Sequence, residues 1–122
     1  KDQPKFLFEY GQCLSKTGQY EEGIRILTEG TRLSADPMFY NIMGKDAEAL
    51  KHFGQAEACF KQASYMVPHR LYPLYLLAKM YFESGQPEKG RDMARQVIQK
   101  EPKVMSDAVK EMKAELEERL KP

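Results

Sequence analysis

Residues 37–68 read PMFYNIMGKDAEALKHFGQAEACFKQASYMVP. With Pro37 as position 1, Tyr40 falls at position 4, Met43 at 7, Gly44 at 8, Ala47 at 11, Ala56 at 20, Phe60 at 24, Ala63 at 27 and Pro68 at 32. The order is large, small, small, aromatic, small, then a helix stop. Two antiparallel helices approach closely only where facing residues are small, here Gly44 and Ala56, and bulky Tyr40 and Phe60 fill the space beside that contact. The pattern recurs. Thirty-four residues on, the same positions hold Leu74, Leu77, Ala78, Tyr81, Gly90, Ala94, Val97 and Pro102. Thirty-three residues back they hold Leu7, Tyr10, Gly11, Leu14, Gly23, Leu27, Gly30 and Ala35. Positions 8 and 20 are small in all three copies. The copies are weakest at Ala94, where an aromatic is expected, and at Ala35, where Pro is expected.

A period of 33–34 residues with this order of sizes resembles the tetratricopeptide repeat, each unit a helix-turn-helix. The T-P-L-H type signature of ankyrin repeats, which share the period, is absent. The reading is an all-α, right-handed superhelical solenoid forming one domain. Its units cover residues 4–36, 37–70 and 71–103, and a capping helix covers 104–121. The first A helix is expected over 3–17 and the first B helix over 20–33. The second pair is expected to end near residue 52 and to run over 54–66. The third pair is expected over 71–84 and from 86 to Pro102. Gly18 and Gly85 supply turns, and Asp36–Pro37 is a helix start, with a capping side chain before Pro at the first helical position. Gly30 costs about 1 kcal/mol against Ala in a helix, tolerable where a close contact needs a small residue. In the last stretch Met105, Ala108, Val109, Met112, Leu116 and Leu120 form one stripe. Lys113–Glu117 and Glu117–Lys121 are expected as i, i+4 pairs. A solenoid needs such a helix to cover its open end.

Composition sets the remaining bounds. The 122 residues are 42% hydrophobic and 30% charged, with net charge +1, which fits a globular domain and gives no bulk attraction to nucleic acid or anionic membrane. No apolar run approaches the ~20 residues of a membrane span, so no direct membrane insertion is expected. The chain opens at Lys1 rather than Met, and a fragment of a longer protein is expected. Cys13 and Cys59 fall in different units and outside any CxxC pair, so two buried free thiols are expected.

No catalytic constellation assembles. His52 and His69 lack partners at metal-ligand spacing, the serines lack a nucleophile-elbow context, and the glycines follow the repeat rather than a phosphate loop. Neither an enzyme, a metal, a cofactor nor a nucleic-acid partner is expected. Resemblance to the repeat family implies a concave groove lined by positions 2, 5, 9, 12 and 13 of each A helix. The implied partner-binding residues are Lys5, Phe8, Gln12, Asn41, Lys45, Tyr72, Tyr75 and Lys79. Aromatics, an amide and two lysines suit an extended peptide or a carboxylate. Chaperone-binding members clamp a C-terminal carboxylate with Lys and Asn from the first two A helices and Lys and Arg from the third. Here Gly11 is followed by Gln12, and the third A helix carries Lys79 without an Arg, so the resemblance does not extend to that role.

Four segments carry a second resemblance: LFEYGQCLSKTGQYEE (7–22), DPMFYNIMG (36–44), YPLYLLAKMY (72–81) and EPKVMSDAVKEMK (101–113). Together they resemble the soluble C-terminal tail of bacterial membrane proteins of the O-antigen ligase/polymerase family. That implies a docking or scaffolding tail in surface-polysaccharide assembly. It would be associated with the bacterial inner membrane through its parent, whose catalytic residues lie outside this chain. The alternative is a free-standing adaptor that binds a peptide in another complex.

Overall fold

The computed structural model describes residues 2–122. Among them are seven helices: α1 (Gln3–Lys16), α2 (Tyr20–Thr31), α3 (Met38–Ala49), α4 (Phe53–Met66), α5 (Tyr72–Glu83), α6 (Pro87–Gln99) and α7 (Asp107–Leu120). The described residues contain no strand. Each helix packs on the next in sequence, and α1, α3, α5 and α7 touch one another in turn along one face. This is the expected solenoid of three helix pairs closed by a seventh helix.

Local chemistry sets the boundaries. The Asp2 carboxylate accepts from the Lys5 amide at 3.0 Å, and the Asp36 carboxylate accepts from the Met38 amide at 2.9 Å, capping orphan donors of two first turns. Gly18 and Gly85 close the A helices of units one and three at φ 81° and 78°. The same turn in unit two falls on Lys51 at φ 62°, so α3 stops at Ala49 rather than running to residue 52. A side chain can leave a helix this way, though at a steric cost that glycine escapes.

Small residues set the helix spacing. A Cβ at Gly11 would lie 2.5 Å from Leu27, and one at Gly44 would lie 2.5 Å from the Phe60 ring. Gly30 lies directly against the Phe39 ring of the next unit, which is why position 27 takes a glycine despite its helix cost. Three apolar clusters follow the junctions. Leu27, Phe39, Ile42, Met43 and Cys59 join units one and two. Ala56, Phe60, Leu77, Met80 and Tyr81 join units two and three. Leu71, Ala78, Ala94, Val97 and Leu116 join unit three to the cap. In unit three the Phe82 ring lies against Gly90, 3.0 Å from where its Cβ would stand, and Ala94, at position 24, packs with Ala78 and Leu116 instead.

Three expectations are corrected. Cys59 is buried but Cys13 is exposed, because among the described residues no element packs on that face of α1. The cap begins at Asp107, with Ser106 accepting from the Val109 amide at 3.2 Å. Met105 is 49% exposed and Ala108 is exposed, so the buried stripe reduces to Val109, Met112, Leu116 and Leu120. Lys113 does not pair with Glu117. Its ammonium donates to the carbonyls of Ile98 (2.8 Å) and Lys100 (2.7 Å), satisfying the end of α6, while Lys121 pairs with Glu118 at 2.8 Å.

Candidate functional site

Two adjoining cavities run along the face formed by α1, α3 and α5. One of about 320 Å³ is lined by Gln12, Ser15, Lys16, Tyr20, Ile42, Lys45, Asp46 and Ala49. The other, about 500 Å³, is lined by Lys45, Glu48, Ala49, Tyr72, Tyr75, Leu76, Lys79 and Glu83. Lys45 and Ala49 belong to both, so the two form one continuous groove. The repeat register places them there. Residues at positions 9 and 13 of successive A helices lie one helix apart along this face.

Of the eight groove residues expected from the sequence, Gln12, Lys45, Tyr72, Tyr75 and Lys79 line these cavities. The other three do not. Lys5 is exposed in the first turn of α1. Phe8 is half-buried and meets Phe39 edge-on at 5.2 Å, closing the seam between the first two A helices. Asn41, two residues from Phe39, is only 2% exposed. Its amide nitrogen donates to the Met38 sulfur at 3.4 Å, and its carbonyl oxygen has no partner among the described residues. Asn41, expected to hydrogen-bond a peptide, thus lies buried and outside the lining of both cavities.

The electrostatics also differ from a pair of free lysines. Lys79 is held by Glu115 of α7 at 3.0 Å, donates to the Tyr75 hydroxyl at 3.1 Å, and lies 4.9 Å from the Tyr75 ring centre. Tyr75 in turn donates to Glu115 at 2.5 Å. The tyrosine hydrogen bond, followed by Lys79, holds the Glu115 carboxyl below the usual carboxylate range. Tyr72 stacks beside Tyr75 with centroids 6.2 Å apart. Across the groove Glu48 faces Glu83. Burial first, and then the neighbouring Glu83 carboxyl, push Glu48 up to about 7. Lys16 and Lys45 are exposed and make no ion pair among the described residues. The unpaired ammonium groups of the groove, Lys16 and Lys45, therefore line the first cavity, and Lys79 is already matched by Glu115.

Beneath the first cavity lies Asp46, 2% exposed. The Ser15 hydroxyl lies 2.7 Å from its carboxylate and 3.0 Å from the Gly11 carbonyl. Burial drives Asp46 up to about 6, against the lowering effect of Ser15. A Cβ at Gly23 would come within 3.0 Å of both Asp46 and Ser15, so the small residue at position 20 makes room for this pair. Cys59, nearby, is pushed up to about 11 by burial and then by Asp46, which keeps it a thiol. Asp46 and Glu115 escape sequence reasoning. Asp46 occupies a position that is Cys13 and Met80 in the other units, and Glu115 reaches the groove from a helix read only as a cap. No group of three His, Cys, Asp or Glu side chains among the described residues could hold a metal ion. No described helix is long and apolar enough to cross a membrane.

Two tetratricopeptide-repeat family models match the sequence, one over residues 4–37 and one over 74–103. The chain carries tetratricopeptide repeats. The middle unit, outside both matches, is the one whose spacing is most regular in the sequence. No curated protein matches the chain. Solved structures of similar fold include the first such domain of Spaghetti (RPAP3) bound to an HSP90 peptide, SRMEEVD. It is 19% identical with TM-score 0.76, and the match covers 97% of this chain and 95% of that one. PcrH in complex with the chaperone-binding region of PopB is 15% identical with TM-score 0.77, covering 98% and 96%. The Sgt2 repeat domain from Aspergillus fumigatus is 15% identical with TM-score 0.78, covering 98% and 80%. At these identities the likeness is one of fold.

Proposed function

We propose that this repeat domain is a non-catalytic interaction module whose groove across α1, α3 and α5 takes an extended peptide segment of a partner protein. The observation that carries this is the continuity of the two cavities through Lys45 and Ala49. Together they give an elongated trough with stacked tyrosines at one end and exposed ammonium groups at the other. Two structures of the same fold are described as complexes with a peptide and with a binding region of another protein, which supports the mode of use without naming this partner. A ligand carboxylate or backbone carbonyl belongs in the first cavity near Lys16 and Lys45, and apolar or aromatic side chains belong against Tyr72 and Tyr75.

The test is a peptide-array screen followed by NMR titration of the labelled domain. The expected result is shift changes clustered on Gln12, Lys45, Tyr72 and Tyr75, with Lys45→Glu weakening binding at least tenfold and leaving the helical circular dichroism unchanged. Shift changes confined to the opposite face, or unaltered affinity in Lys45→Glu, would overturn the groove assignment. Lys79→Glu is a poorer probe, because it also breaks the contact with Glu115.

The resemblance of segments 7–22, 36–44, 72–81 and 101–113 to O-antigen ligase/polymerase tails supports a finer reading. In it the module is the docking tail of a bacterial membrane glycan ligase or polymerase. Its support is those four segments, since the solved structures bear on fold alone. Several long apolar spans encoded upstream of Lys1 are the expected finding. Their absence would leave the free-standing adaptor.

A further inference from the structure

Repeat register predicts what each face of an A helix should touch, and α1 breaks the rule. At the junction of units one and two, Phe39 (position 3) lies against Gly30 (position 27 of the preceding unit). Asp46 (position 10) lies against Gly23 (position 20). Met43, at position 7, is buried between them. In unit three the same positions are Pro73, Leu77 and Met80, all buried; Leu77 and Met80 cluster with Ala56 and Phe60 of α4, which carries Ala56 and Ala63 at its own positions 20 and 27. The A helices α3 and α5 thus present positions 3, 7 and 10 to a helix that has small residues seven apart around a bulky one: Leu27 between Gly23 and Gly30, Phe60 between Ala56 and Ala63.

In α1 these positions are Phe6, Tyr10 and Cys13. Phe6 is 65% exposed and Tyr10 42%, their rings sit 6.0 Å apart, and Cys13 is exposed. Among the described residues no element covers this stripe. The other end of the solenoid is treated differently. There α7 buries Leu116 and turns Lys110, Glu111, Glu117 and Glu118 outward. A polar outer face closes that end, and an aromatic stripe lies open at this one.

We infer that the Phe6–Tyr10–Cys13 face of α1 is a docking surface for a further helix-turn-helix unit supplied from outside these residues. Its contacting helix carries Gly or Ala seven residues apart where Phe6 and Cys13 land. The surface continues the interface already made twice within the chain. A second copy of this chain does not meet the requirement. The small-residue faces of α2 and α4 are occupied by α3 and α5, that of α6 is covered by α7, and the outer face of α7 is charged. The inference is independent of the groove, which lies on another face.

The test joins residues 37–66 of this chain, with Ala56 and Ala63, ahead of Lys1. The intervening residues 1–3 then preserve the 33-residue spacing. Expected outcomes are a rise in Tm of about 5 °C or more, unchanged helicity per residue, and at least tenfold slower reaction of Cys13 with an aromatic disulfide reagent. Phe6→Glu with Tyr10→Glu should remove the rise in the extended protein and leave the Tm of the 122-residue chain unaltered. Two results would overturn the inference. One is an added unit that changes neither Tm nor Cys13 reactivity. The other is a 122-residue chain that sediments as a dimer broken by Phe6→Glu, which would assign the face to self-association.

Discussion

Two residues show how much the repeat tolerates at single positions. Ser15 has one hydroxyl proton and two acceptors within reach, the Gly11 carbonyl and the Asp46 carboxylate. Below about pH 6 a protonated Asp46 is itself a donor and leaves the Ser15 proton to Gly11, whereas the ionised carboxylate accepts from Ser15. Burial raises that carboxyl from 3.8 to about 6. Because the folded protein holds this proton more tightly than the unfolded chain, stability falls as pH rises from about 4 through about 6, then levels. Asp46→Asn keeps a donor toward Ser15 and carries no charge. It should raise stability at pH 7 by about 2 kcal/mol and flatten the pH 4–6 slope of urea denaturation. An unchanged slope would mean that Asp46 is ionised when folded. Lys51 makes the complementary point. At φ 62° it occupies a turn that units one and three give to glycine. Lys51→Gly should stabilise the protein by about 1 kcal/mol, read as a higher denaturation midpoint with the same slope against denaturant. A lower midpoint would show that the unfolded-state entropy of glycine outweighs the relieved strain.

At the scale of the helices the sequence was legible because packing repeats. Small residues at positions 8 and 27 announce the contacts of Gly44 with Phe60 and of Gly30 with Phe39, and proline and glycine mark most ends. What it did not disclose depends on neighbours in space. Cys13 and Cys59 are both cysteines in helices, yet one faces a neighbouring unit and the other faces none. Asn41 stands at a groove position by register, but it is buried, with its amide on the Met38 sulfur. Lys79 reads as a free ammonium until α7 brings Glu115 to it, and the side chain of Lys113 prefers orphan carbonyls of α6 to a carboxylate one turn away. The cap is therefore more than a cover. Of its residues only Leu116 is fully buried, at 0% exposure, within the cluster of Ala94 and Val97. Leu116→Ala should cost about 2–4 kcal/mol and loosen α7, with hydrogen exchange accelerating first in residues 107–120 and then in α6. Equal acceleration in α2 would show that the cap is not a separable element.

Across the whole molecule each helix touches little beyond its neighbours in order, so stability is close to a sum of units and junctions. The central unit contributes to two junctions, unit three to two through the cap, and unit one to a single one. Phe60 sits where this matters most. It is fully buried, packs on Gly44 within its own unit, and joins the cluster of Leu77 and Met80 in the next. Phe60→Ala removes an aromatic ring from both contacts at once, a loss of about 3–5 kcal/mol. Units one and three have no direct contact through which to hold each other, and fewer than three stacked units rarely bury enough surface to persist. The expected outcome is a single transition at much lower temperature, with calorimetric and van't Hoff enthalpies still equal. A plateau in helicity after partial unfolding would instead mean that α5–α7, stapled by Lys79–Glu115 and Leu116, survive alone. The cap would then be the stronger half of the molecule, and the groove would open between α3 and α5 before either wall is lost.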